Sequence, residues 1–204
     1  VQGFLEAYNY SFYSPKDFAL MKLKEDAIER NAVRILNPIS EELSIMRTIL
    51  LPSMLGNAVR NIRRGNDIGR EFEVANVYIP NDTAAGEQPT ERKHITFAVW
   101  GGDNDFFDLK GAMERLSEVF HVEFSYQRAQ KPYLHPGVSA DVICNKAEVG
   151  CLGELDPAIA LSLGLDKKVY LAELDIEALM PVMDDNIRYE NLPKFPAVNR
   201  DLAL

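Results

Sequence analysis

Cysteine is nearly missing from this sequence of 204 residues, where Cys144 and Cys151 are the only two. Two thiols without histidines at ligand spacing make no zinc site. A chain of this length buries enough surface to need no disulfide or metal staple. The pair is expected as reduced, buried thiols of a cytosolic protein, on adjacent strands of one hairpin, on the same face and diagonal to each other. Histidine is as scarce: His94, His121 and His135 are scattered along the chain. No apolar run approaches the roughly 20 residues a membrane span requires. There is no P-loop, no dinucleotide fingerprint behind a strand and no HExxH helix. Repeats and low-complexity runs are missing as well. The composition is otherwise ordinary, 47% apolar and 26% charged, which excludes a disordered, collagenous or coiled-coil chain. Val1-Gln2-Gly3 offers neither Met nor a signal pattern, so the chain is expected to be cut from something longer.

Positive charge is short too. Lys and Arg number 22 against 31 acids, a formal charge of −9. Such a chain is repelled by a phosphate backbone, which disfavours wholesale binding of DNA or RNA. The imbalance is local. Residues 141–190 hold 11 acids and 4 bases, whereas 59–70 carries Arg60, Arg63, Arg64 and Arg70 against Asp67 alone. That short stretch is either an anion contact or a set of cations complementing the negative end of a helix dipole.

The patterning alternates strands and helices, with strands in the majority. Phe4–Phe12 is aromatic-rich and reads as a strand, and Ser14-Pro15 opens a short helix. Ala32–Leu36 reads as a second strand stopped at Asn37-Pro38. The clearest helix runs from Pro52 to about Arg64, with Met54, Leu55, Ala58, Val59 and Ile62 on one stripe and Gly65 just past its end. Glu71–Ile79 and His94–Trp100 read as strands joined by a polar linker at 80–92. Asp105 and Asp108 precede a second helix, whose Leu109, Met113, Leu116 and Phe120 share a face. A strand near 122–127 follows. Val138–Cys144 and Glu148–Gly153 form a hairpin about Asn145-Lys146-Ala147. Asp156-Pro157 opens a helix closed by Gly164, and Lys168–Ile176 is the last strand. The pattern predicts an α+β fold with a mostly antiparallel sheet.

No catalytic set emerges from these residues. His121 is expected to end a helix. His135, in Leu134-His135-Pro136-Gly137, is expected in a turn with a structural hydrogen bond. No Ser or Cys stands in the context of an activated nucleophile. Asp184-Asp185 is expected to be solvated.

Several strings taken in order go further. They are Glu6–Phe12 (EAYNYSF), Asn37-Pro38-Ile39-Ser40, Met46-Arg47-Thr48, Leu51-Pro52-Ser53-Met54-Leu55, Asn61, Phe72-Glu73-Val74, Leu134-His135-Pro136-Gly137 and Gly150–Pro157 (GCLGELDP). In register they resemble the synthetase-like core of the bacterial phenylalanyl-tRNA synthetase beta subunits. The resemblance implies a class II synthetase fold, a mostly antiparallel sheet flanked by helices, over residues 1–193. It implies that 194–204, with Phe195-Pro196-Ala197-Val198-Asn199-Arg200-Asp201-Leu202, opens a ferredoxin-like anticodon-binding domain. It also implies a catalytically silent domain in the cytoplasm. Such a domain pairs with a catalytic alpha subunit in an (αβ)2 heterotetramer that uses ATP, Mg2+ and tRNA.

The residues can be compared with that implication. Active class II relatives place an Arg at the end of the first motif 2 strand, because charge develops on the ATP phosphates. Here that strand ends in Ile79-Pro80. The matching motif 3 stretch, Lys168–Leu174, has neither Gly nor Arg and carries Glu173, which would repel phosphate. Arg70-Glu71-Phe72-Glu73 imitates the motif 2 pattern at the wrong end of its strand. No catalytic, cofactor or metal residue is therefore assigned to this segment. The resemblance places Arg47, Leu51, Met54, Leu55, Ala58 and Ile62 near the pairing region. The basic residues Arg60, Arg63, Arg64 and Arg70 are the candidates for a tRNA backbone contact.

Overall fold

Strand pairing from Gly69 to Asp175 organises this protein. The computed structural model describes residues 3–81 and 87–183. Its elements are β1 (Leu5–Glu6), β2 (Phe12–Tyr13), α1 (Lys16–Leu20), β3 (Ile45–Met46), α2 (Leu51–Arg63), β4 (Gly69–Ile79) and β5 (Thr90–Trp100). Then come α3 (Phe106–Phe120), β6 (Phe124–Arg128), β7 (Leu134–Cys144), β8 (Ala147–Leu155), α4 (Pro157–Ser162), β9 (Val169–Asp175) and α5 (Ile176–Leu179). Seven strands form one sheet in the order β1-β4-β5-β9-β8-β7-β6, antiparallel throughout except for the β1–β4 pair. The mixed α+β class with a mostly antiparallel sheet agrees with the sequence pattern.

Each sheet face is covered by helices. On one face Met54, Leu55 and Ala58 of α2 pack over Ala98, Trp100, Leu171 and Cys151. On the other, Leu109 and Met113 of α3 pack with Val99, Tyr170, Ala172 and Leu174. The central strand β9 is buried along nearly its whole length, as its continuous apolar run requires.

Local chemistry sets the element ends. Asp105 caps α3 by accepting from the N–H groups of Phe107 and Asp108, and Asp108 reaches back to the Asp105 N–H, a complete capping box. His121 ends that helix in the left-handed region at φ 53°, as the sequence suggests. Gly101, at φ +65°, has its α-carbon so close to the Asp67 carbonyl that an added Cβ would lie 1.7 Å from the oxygen. Only glycine permits that approach.

Four expectations need correction. Phe4–Phe12 is not one strand. The chain leaves the edge of β4 after Ala7, whose N–H donates to the Phe72 carbonyl at 2.7 Å, and pairs next as β2 with β3. Ala32–Leu36 is not a strand either; it makes a single bridge, Arg34 to Ile45. Leu134–Gly137 lies within β7 rather than in a turn, although the Gly137 N–H does donate to His135 Nδ1 at 3.0 Å.

The fourth correction concerns the two thiols, which face opposite cores. The β7–β8 register shifts between Val142 and Ile143, leaving Val149 as the extra residue. That bulge inverts which side chains face which way beyond it. Cys144 joins the α3 side and Cys151 the α2 side. Both are free and buried, as expected. The predicted 194–204 domain start and Asp184-Asp185 lie outside the described residues.

Candidate protein interface

Most residues expected at a subunit interface are inside the chain. Leu51, Met54, Leu55 and Ala58 are core residues of α2, and Ile62 is half-buried against the same cluster. The stripe therefore serves the intrachain core. What α2 turns outward is Ser53, Gly56, Asn57 and Arg60.

Arg47 is also buried, with only 2% of its surface exposed. Its NH1 lies 3.0 Å from Glu73 Oε1, with both side chains 3% exposed. The same NH1 donates to the Tyr10 carbonyl at 3.3 Å, and Nε donates to the Asn76 carbonyl at 2.9 Å. Glu73 in turn receives Asn9, through its backbone N–H at 3.2 Å and its Nδ2 at 2.8 Å. A buried ion pair survives the loss of hydration only when its remaining donors and lone pairs find partners. Here they find them largely in the connector between β1 and β2.

That connector carries the most exposed aromatics among the described residues. Tyr8 and Tyr10 are 84% and 75% exposed. They border a groove of about 940 Å³ that is also lined by Pro52, Gly56 and Arg60 of α2 and by Leu43. Ile39, beside the groove-lining Ser40, is 91% exposed. Exposed apolar groups clustered about a concavity are the mark of a surface that meets another molecule.

The α2 wall is anchored from the far end of the sequence. The start of α2 has no side-chain cap of its own. Instead the Glu173 carboxylate accepts from the Leu50 N–H at 3.0 and 2.9 Å and from the Leu51 N–H at 3.1 Å. His94 Nδ1 lies 2.6 Å from the same carboxylate, and His94 Nε2 is 3.8 Å from Asp175 Oδ2. Arg92 pairs with Asp175 at 2.6 Å. Placing a carboxylate at a helix N-terminus satisfies orphan donors and complements the dipole. Sequence reasoning took Glu173 as a phosphate-repelling group and missed this role. The available signal was an acid inside an otherwise continuous apolar strand.

The basic candidates do not form one site. Arg70 is held by Asn104 at 2.7 Å and paired with Asp108 at 2.8 Å. Arg63 donates to the Leu163 carbonyl at 2.9 Å. Arg60 contacts Asn57, and Arg64 is exposed at the end of α2. Ile79 ends β4 with Pro80 just after it, and the Glu173 carboxylate is committed to α2. Among the described residues no cluster of His, Cys, Asp and Glu could hold a metal ion, and no helix is long and apolar enough to cross a membrane.

One titratable cluster lies away from the groove. Burial pushes the Cys151 thiol up to about 12, and it sits 3.6 Å from the Tyr133 hydroxyl. Burial likewise raises the Asp141 carboxyl, offset in part by Lys131 at 3.8 Å.

The family model described as the phenylalanyl tRNA synthetase beta chain CLM domain matches residues 1–176. The chain is 39% identical over 204 residues to the phenylalanine–tRNA ligase beta subunit of Clostridium acetobutylicum, covering 99% of this chain and 26% of that protein. The Clostridium tetani beta subunit is likewise 39% identical over 204 residues, with the same coverage of both chains. The Geobacter metallireducens beta subunit is 36% identical over 217 residues, covering 100% and 27%. The chain thus spans about a quarter of the length of these curated relatives.

Proposed function

The chain belongs to the phenylalanyl tRNA synthetase beta chain CLM domain family, and on that premise we propose that it is a silent class II core that pairs with a catalytic alpha subunit. In this reading the two subunits form an (αβ)2 phenylalanine–tRNA ligase of the cytoplasm. ATP and Mg2+ act on the alpha side, and this domain binds neither.

One observation carries the pairing: the groove between α2 and the β1–β2 connector, with Tyr8 and Tyr10 held outward at its rim. Large aromatics with few rotatable bonds are favoured anchors at protein interfaces. The silence is supported by Ile79-Pro80 and by Glu173, which stand where cations would be needed to stabilise charge on ATP. A tRNA backbone contact through Arg60, Arg63, Arg64 and Arg70 has less support, since Arg70 is already neutralised by Asp108.

The test uses the intact ligase. Tyr8→Ala with Tyr10→Ala in the full beta subunit should weaken association with the alpha subunit by about tenfold or more, read by sedimentation or light scattering. Unchanged association would remove the groove as the pairing surface. Phosphate contacts would instead show as tRNA affinity that falls steeply with salt and drops on reversing Arg63 and Arg64.

A further inference from the structure

We infer that the buried Arg47–Glu73 ion pair positions the docking surface: it fixes the connector between β1 and β2, and thereby sets where Tyr8 and Tyr10 project. The inference rests on the pairing reading above and deepens it. The resemblance suggested Arg47 as a direct contact; its burial makes that role inaccessible and leaves an indirect one.

The argument starts from the backbone. After Ala7 the connector leaves the β4 ladder, and it rejoins regular pairing only at Phe12. In between, its polar groups must find other partners. Most of these come from one ion pair. The Asn9 N–H and Nδ2 donate to the two Glu73 oxygens. The Tyr10 carbonyl accepts from Arg47 NH1. The Arg47 backbone N–H donates to the Ser11 carbonyl at 3.0 Å. Arg47 Nε is tied to Asn76 on β4, so the frame is referenced to the rigid sheet.

Side-chain direction follows from that clamp. Asn9 is drawn inward, and the residues on either side of it, Tyr8 and Tyr10, are turned out. An apolar pair of similar volume would fill the space behind the connector at lower desolvation cost. It would give the connector no bonds, and the tyrosines no defined direction. A surface whose anchors are already aimed loses less conformational freedom on binding.

The experiment is a double-mutant cycle on association of the intact beta subunit with the alpha subunit. Asn9→Ala and Glu73→Gln are made singly, each also in the Tyr8→Ala/Tyr10→Ala background. Asn9→Ala leaves the ion pair in place, which keeps the test informative if Glu73→Gln folds poorly. Leu109→Ala, which opens space in the core on the α3 side of the sheet and touches neither wall of the groove, serves as the comparison for general destabilisation. Each connector variant is expected to weaken association about tenfold alone and less than about twofold once the tyrosines are gone, because coupled sites are not additive. Leu109→Ala is expected to lower Tm without a matching loss of association. Equal losses with and without the tyrosines overturn the positioning role while leaving the pairing surface standing. The same holds if association simply tracks Tm across all variants. If removing the tyrosines has no effect on association, the pairing surface itself falls, and the positioning role with it.

Discussion

The chain from Gly69 to Asp175 and the chain from Gly3 to Leu50 solve the same problem by different means. The first pairs its backbone groups strand to strand, in ladders up to eleven residues long. The second has strands of two residues, two short 3-10 turns and a five-residue helix. Side chains hold it: Arg47 ties it to Glu73 on β4, while the Tyr13 hydroxyl with Thr48 at 2.9 Å and Thr48 with the Glu29 carbonyl bind the segment to itself. Ladders present a surface fixed by backbone geometry. Side-chain ties allow an irregular segment to hold exposed aromatics at chosen angles. Among the described residues, the three most exposed large apolar groups, Leu36, Ile39 and Tyr8, all lie in the second region.

Four substitutions test how far that contrast goes. The largest effect is expected from Arg47→Met, which leaves the buried Glu73 carboxylate without its cation and the Tyr10 and Asn76 carbonyls without their donor. Removing one partner of a buried pair costs about 3–5 kcal/mol, visible as a lower denaturant midpoint. A loss below about 1 kcal/mol would mean that the ladders hold the N-terminal region without the ion pair.

Next is Glu173→Ala. It orphans the Leu50 and Leu51 N–H groups and should cost about 2–3 kcal/mol. Hydrogen exchange should quicken in the first turn of α2 before it does in β5 or β9. Uniform loss of protection would show that α2 and the sheet open as one unit.

Gly150→Ala probes the ladder side. An added Cβ would lie 2.1 Å from the Glu173 carbonyl oxygen, beside the Val149 bulge. Relief requires β8 to move from β9, at a cost of about 1–3 kcal/mol. A neutral result would show that the bulge can absorb the change.

The smallest effect is at Asp141, whose Oδ1 is buried without a hydrogen-bond partner. Its carboxyl is raised, first by burial, with Lys131 opposing and Glu148 adding. The native state therefore favours the protonated form. The burial cost is present once the group ionises, above its folded pKa, and vanishes below its unfolded value. Asp141→Asn is expected to raise Tm by about 1–2 °C at neutral pH and to make no difference near pH 3. A pH-independent gap would point to the hydrogen bonds of the amide instead.

The elements legible in the sequence were those whose determinants are local. Pro52, the apolar stripe and Gly65 mark α2 to within a residue. Asp105 and Asp108 announce α3, and Asp156-Pro157 announces α4. Alternation marks β5, and an apolar run broken only by Glu173 marks β9. The strings that identified the family are legible for the same reason, being short and contiguous.

The failures share a physical cause. Aromatic content suggested one strand over Phe4–Phe12, but pairing depends on a free edge, and further along β4 that edge is engaged by Arg47, whose carbonyl accepts from the Tyr78 N–H and whose Nε donates to the Asn76 carbonyl. Alternation placed both thiols on one face, but a single extra residue at Val149 reversed the parity. The resemblance put Arg47 near the pairing region, but Glu73, 26 residues away, holds it inside the chain.

By itself, then, the sequence determined the helices with local caps and stripes, the strands with long apolar or alternating runs, and membership of a family. Only the tertiary structure decided which way the connector's tyrosines face, which core each thiol enters and what caps α2. The first and last depend on a partner far along the chain, Glu73 for Asn9 and Glu173 for Leu50, and the second on where strand pairing absorbs one extra residue; spacing along a sequence carries no record of either.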